Sequence, residues 1–261
     1  MYFIDVQGTL IDDKAQEPFP GAAAFIARLN RNAVPYIVVT NNTKRASADF
    51  LAYLQSRGLA IPASHYLDAL MMLEANVPES KIAAYGDGAF LAQLDAMGYA
   101  LDFEAPEAVL VSVSADYNAE DFARMIGFLA NGARLVGMHD TTLYVRHGKR
   151  YPGAGAVLRM LSYAASVPFA VVGKPSEAFY AEALRRLRLQ QKDATYASVT
   201  MVSDDYAGDL TGAAALGMRC ALVLSGKLRP DDALAVRLRR EETGVVVYND
   251  ITEIMPVKSS V

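Results

Sequence analysis

FIDVQGTL (residues 3–10) sets apolar residues, an aspartate and a glycine–threonine turn in that order. That is the pattern of a buried strand delivering one carboxylate to the turn at its end. The runs that follow decide which kind of sheet it joins. PGAAAFIARLNRNA (20–33) reads as a helix opened by Pro20 and Gly21, PYIVVTNN (35–42) as a strand, and SADFLAYLQSRGL (47–59) as a helix capped by Ser47 and closed at Gly58. Strand, helix, strand, helix argues for a parallel sheet with helices on both faces. Gln7 poses the functional question, because an amide stands two places after Asp5, where a second acid would be useful.

The same alternation resumes late in the chain. PFAVVGKP (168–175) is a strand ending in a turn, SEAFYAEALRRLRL (176–189) a helix, YASVTMVSDD (196–205) a strand, DLTGAAALGM (209–218) a helix and RCALVLSG (219–226) a strand. Between the halves lies a second α/β stretch containing KIAAYGD (81–87), EAVLVSVS (107–114), RLVGMHD (134–140) and TLYVRHG (142–148). The last two, joined by a polar turn at Asp140, predict a hairpin in a separate mixed sheet. The expected organisation is a doubly wound parallel α/β core over 1–80 and 169–261, with an inserted α/β domain over 81–168.

Composition excludes several classes of function. The chain has 261 residues, a formal charge of −4, 52% hydrophobic and 21% charged residues, an ordinary globular balance. With no run of Lys or Arg, neither nucleic acid nor an anionic membrane surface is an expected partner. Cys220, the only cysteine, rules out an intrachain disulfide and a cysteine-cluster metal site, and its apolar strand makes it a buried structural thiol. No basic and apolar leader precedes the first strand and no apolar run is long enough for a bilayer, so a soluble cytoplasmic protein is expected.

Four strand-end clusters carry the chemistry: Asp5 to Thr9, Thr40-Asn41-Asn42, Gly173-Lys174-Pro175, and Ser203-Asp204-Asp205 with Asp209. Singly, each has a plain reading as an Asx turn, a helix cap or a solvated charge. In one parallel sheet all four would share the carboxyl edge, where open α/β sheets build sites. Asp5 and Asp204 with a backbone carbonyl are hard oxygen donors of the kind Mg²⁺ prefers. Lys174, Thr40 and turn amides suit a phosphoryl group, which Asp5 could attack as a nucleophile.

In order and type these clusters resemble the motifs of the haloacid dehalogenase (HAD) superfamily. DVQGTL matches the first (usually D-x-D-G-T), VVTNNT the second, VVGKPS the third and VSDDYAGD the fourth. YPGAGA (151–156) is similar to the cap segment of the NagD-like, nitrophenylphosphatase-like subgroup. The resemblance spans nearly the whole chain and implies a HAD-like core with a C2-type cap. It makes Asp5 the nucleophile, gives Mg²⁺ to Asp5, Asp204 and the carbonyl of Gln7, and makes Asp209 an outer carboxylate, with the part of Asp205 left open. Phosphoryl binding falls to Gly8, Thr9, Thr40, Asn41, Asn42 and Lys174.

Two positions depart from the motifs. Ser203 replaces a glycine, a small-for-small change. Gln7 replaces the acid that protonates the leaving oxygen and later activates water, and an amide cannot exchange protons. Such a group contributes about 10²- to 10⁴-fold, roughly 3 to 5 kcal/mol of barrier. Three outcomes stay open: hydrolysis restricted to good leaving groups, a lingering phosphoryl-Asp5 suited to transfer, or binding of a phosphorylated ligand or protein partner without turnover.

For the cap, His139, Asp140, Arg146, His147, Lys149 and Arg150 flank the expected hairpin, and Arg146 or Arg150 could meet a second anionic group on a small phosphorylated metabolite. Met138-His139-Asp140 departs from the subgroup's Asn-x-Asp, so a substrate read through that Asn does not transfer. Relatives pair through the cap, which leaves a homodimer as an open expectation.

Overall fold

The computed structural model describes residues 1–146, 149–241 and 244–254; His147 lies outside the described residues, as do the side chains of Val145 and Arg146. In chain order the elements are β1 (Tyr2–Asp5), α1 (Ala22–Arg31), β2 (Tyr36–Thr40), α2 (Ser47–Ser56), β3 (Tyr66–Asp68), α3 (Leu73–Asn76), β4 (Ile82–Tyr85), α4 (Gly88–Ala96), β5 (Ala108–Val111), α5 (Ala119–Ala130) and β6 (Arg134–Gly137). They continue with β7 (Leu143–Arg146), β8 (Lys149–Pro152), α6 (Ala154–Ala165), β9 (Phe169–Val171), α7 (Glu177–Leu187), β10 (Thr200–Ser203), α8 (Thr211–Ala215), β11 (Arg219–Val223), α9 (Ala233–Arg240) and β12 (Val245–Tyr248).

The first sheet has six strands in the order β12-β11-β10-β1-β2-β3, parallel from β12 through β2. From β1 the chain winds outward to β2 and β3, and from β10 it winds the other way to β11 and β12. The winding therefore reverses between β1 and β10, the place where a doubly wound sheet opens a crevice at its carboxyl edge. β1, β2 and the inner residues of β10 are buried on both faces, as their unbroken apolar runs predict. Ile4, Val38, Val202 and Val223 pack with Phe25, Ile26 and Leu29 of α1 and Phe50 and Leu54 of α2 in one core.

The second sheet has four parallel strands in the order β4-β5-β6-β9, and its core joins Tyr85, Val109 and Val111 to Met125 and Leu129 of α5 and Val157, Leu158 and Leu161 of α6. β7 and β8 form a two-stranded antiparallel ribbon with Tyr144 stacked on Tyr151. The chain divides into two compact units, one of residues 1–40, 48–67 and 180–261 and the other of 41–47 and 68–179.

Three expectations are corrected. β9, placed by sequence in the core from residue 169, pairs with β6 through Leu135↔Phe169 and Gly137↔Val171. An apolar run shows that a strand exists, and only its distant partner decides which sheet it enters. β6 does not form a hairpin with the next strand: β5 and β9 occupy both of its edges, and β7 pairs with β8 instead. The helix expected from Asp209 begins as a π-helical turn over Tyr206–Leu210 and becomes α only at Thr211.

Candidate active site

In the first unit, β1 ends at Asp5, 6% exposed, and the chain folds back so that the N–H groups of Leu10 and Ile11 both donate to the carbonyl of Val6. Gly8 makes this possible. Its φ is +76°, and a Cβ there would lie 2.1 Å from Oδ2 of Asp204, so backbone and space both demand glycine. Thr9 is fully buried, and its hydroxyl accepts the N–H of Asp204 at 3.1 Å. Thr9, expected at the phosphoryl group, is therefore occupied in tying the Asp5 turn to the Asp204 turn.

Asp204 follows β10 and is 3% exposed. Burial, and after it the charge of Asp5, push its carboxyl well above the usual carboxylate range, against the opposing pull of Lys227. Two buried acids thus stand at the reversal point of the sheet, with the charge of Lys227 opposing theirs. Among the described residues no group of three or more His, Cys, Asp or Glu forms a metal cage. Two carboxylates with main-chain and water oxygens suit Mg²⁺, which usually keeps several waters, so the donor set fits the implied ion.

Ser203, the departure from glycine, donates its hydroxyl to Oδ2 of Asp209 at 2.7 Å and accepts the N–H of Asp205 at 3.1 Å. Asp205, whose part was open, caps the π-turn by accepting the N–H of Gly208 at 2.8 Å and pairs with the ammonium of Lys227. Single-turn π insertions of this kind recur at functional sites. Gln7 accepts the hydroxyl proton of Thr40 at 2.8 Å. Thr40, expected at the phosphoryl group, thus turns its proton toward the amide.

The loop after β11 is the part that sequence reasoning missed. Ser225 donates its hydroxyl to the carbonyl of Gly8 at 2.7 Å, and the N–H of Lys227 reaches Oδ2 of Asp204 at 2.8 Å. Burial works to lower the pKa of Lys227, but Asp205 and Asp204 outweigh it and the ammonium is held above its ordinary value. The available signal was its position: Ser-Gly-Lys follows a core strand as directly as the other clusters do.

The second unit holds the remaining expected residues. Lys174 is 2% exposed and follows β9, hence a strand of the second sheet rather than the sheet of β1. Asn41 grips its backbone from both sides, accepting the Lys174 N–H at 2.8 Å and donating to its carbonyl at 3.3 Å. Asn42 donates to Asp68 and to the carbonyl of Arg45, and accepts from the N–H groups of Lys44 and Arg45. Its amide is thereby spent on its own loop and on Asp68. Asp68, fully buried, also takes the hydroxyl of Ser47 and the N–H of Met71. Asp140 is paired with Arg159, and Lys149 and Arg150 are exposed on the β7–β8 ribbon.

Residues 2–100 match a family model described as haloacid dehalogenase-like hydrolase, and residues 171–254 match a second, HAD-hydrolase-like, so that together they cover more than two thirds of the chain. The ribonucleotide monophosphatase NagD of Escherichia coli (strain K12) is 26% identical over 254 residues, 96% of both chains. This chain is a haloacid dehalogenase-like hydrolase of the NagD-like branch. Within that family it is 29% identical over 231 residues to haloacid dehalogenase-like hydrolase domain-containing protein 2 of Bos taurus, covering 88% of this chain and 85% of that one. An acid sugar phosphatase of Staphylococcus saprophyticus is 26% identical, covering 80% of each chain. Among solved structures, the fold matches a p-nitrophenyl phosphatase from Archaeoglobus fulgidus at TM-score 0.78, with 23% identity and 95% of both chains covered. It matches NagD from Escherichia coli at TM-score 0.75, with 23% identity and 97% coverage. Among the described residues no helix of this HAD-like chain is long and apolar enough to cross a membrane.

Proposed function

We propose that this HAD-like chain is a Mg²⁺-dependent phosphoric monoester hydrolase or phosphotransferase acting on a small phosphorylated metabolite through Asp5, with proton transfer at residue 7 lost. The observation that carries the reading is the buried pair Asp5 and Asp204 at the reversal point of the parallel sheet. The phosphatase names of the relatives support it. Asp5, Asp204 and the main-chain carbonyl of Gln7 would hold Mg²⁺, which when bound neutralises charge on the phosphoryl oxygens.

An Asp5 carboxylate oxygen attacks phosphorus, the ester P–O bond breaks and the phosphoryl group passes to Asp5. The leaving oxygen takes its proton from solvent, because the Gln7 amide has none to exchange. Water then attacks phosphorus, the Asp5–phosphorus bond breaks, and phosphate and the free carboxylate are restored. Without a base at residue 7 the second step slows, so phosphoryl-Asp5 accumulates and other acceptors compete with water. Lys174 keeps the phosphoryl-binding role the family gives it, as part of this proposal.

The test supplies Mg²⁺ and an activated aryl phosphate and follows released phenol and free phosphate separately. A phenol burst exceeding phosphate and absent in Asp5→Asn is expected, and Gln7→Asp should release phosphate about 10²- to 10⁴-fold faster. A parent that binds the ester but releases no phenol, alongside an active Gln7→Asp, would replace this reading with a binding role.

A further inference from the structure

Three consecutive residues after β11 bear on the two acid-carrying turns of the first unit. Ser225 holds the carbonyl of Gly8. Gly226 lies so close that a Cβ would come 2.0 Å from Oδ2 of Asp204 and 2.7 Å from the Cα of Gly8. Lys227 donates its N–H to Asp204 and its ammonium to Asp205. Oδ2 of Asp204 is therefore walled by Gly8 and Gly226 and already bonded, which leaves Oδ1 as the oxygen offered to a cation.

We propose that Lys227 is a positioning residue of the Asp5–Asp204 pair: its main-chain N–H selects the oxygen of Asp204 that faces a divalent cation, and its ammonium sets how tightly that cation is held. The inference rests on the cation reading given above. The side chain acts through charge. Asp5, Asp204, Asp205 and Asp209 bring four acidic side chains to these turns, and the ammonium, paired with Asp205, places a positive charge among them before any ion arrives. The same positive charge then opposes the incoming ion, as any fixed like charge near a metal site must. The site is thereby kept ordered without metal at the expense of affinity for it.

Lys227→Met removes the charge while keeping the main-chain N–H and an apolar stem of similar length. Titration calorimetry with Mg²⁺ alone, at low ionic strength, should show a dissociation constant about 5- to 10-fold lower than the parent's, with the gap closing toward parity near about 0.5 M salt. The rise in Tm on adding saturating Mg²⁺ should be larger in the variant, as linkage requires of a tighter ligand. Lys227→Arg, which keeps the charge, should stay with the parent in both measurements. If the parent binds Mg²⁺ and Lys227→Met binds it equally well or more weakly, the inference fails while the reading of the site stands. If neither the parent nor Lys227→Met binds it, both fail together.

Discussion

At residue 7 the chain carries an amide that accepts a hydroxyl proton from Thr40, and one residue on, Gly8 shows how little slack surrounds it. Gly8 is both left-handed and pressed against Asp204. Gly8→Ala would meet a backbone penalty of about 1–2 kcal/mol, and its methyl would drive the Asp204 carboxylate from its place. Displacements of about 1 Å cost on the order of 10²-fold in rate, so kcat/KM for an aryl phosphate should fall at least about 100-fold. A Gly8→Ala enzyme with parental kcat/KM would contradict the close approach. The motif residues could be named from sequence, but what they do in the fold could not. Thr9 and Asn42 look like ligands for a phosphoryl group in a linear reading. In three dimensions their polar atoms are taken up by Asp204, Asp68, Lys44 and Arg45.

Among elements, α7 is tied to β3 by a small charged network. Glu182 bonds Arg185 and Arg186, and Arg186 in turn donates to the carbonyl of Tyr66 at 2.7 Å. The Arg185 hydrogen bond, opposed by burial and aided by Arg186, draws the Glu182 carboxyl down to about 2. A depressed folded-state value means that the contribution is complete above the unfolded value near 4.5 and is lost as pH falls toward 2. Solvent at the exposed Arg185 end screens the gain to about 1 kcal/mol. Urea titrations of Glu182→Gln and parent should differ by about that amount at pH 7 and converge through pH 4 and 3. A difference unchanged at pH 3 would rule the network out. The helix itself was legible from its period, whereas the π-turn that carries Asp209 was not. It arises because Asp205 caps the turn and Ser203 holds Asp209, contacts with no signature in hydrophobic spacing.

For the molecule as a whole, the two units should have separable stabilities, and Asp68 offers the handle. Its buried carboxylate takes Asn42, Ser47 and the N–H of Met71 within the second unit or its edge. Asp68→Ala strands those donors, at a cost of about 3 kcal/mol. Hydrogen exchange should then show faster exchange at the amides of Lys44, Arg45 and Met71, beside the stranded donors, while β1 and β10 keep theirs to a greater degree. Equal loss at β1 and β10 would mean that the chain opens as one unit.

By itself the sequence determined that strands and helices alternate, that the late strands rejoin an early core, and that acids, amides and a lysine stand at strand ends. Periodicity and turn chemistry are local, and they survive in a linear reading. Only the tertiary structure decided that β9 belongs with β6, that Asp5 and Asp204 flank the reversal of the sheet, and that Lys227 joins them. Each of those facts is a pairing between residues far apart in the chain, fixed by which hydrogen bonds and buried surfaces close together.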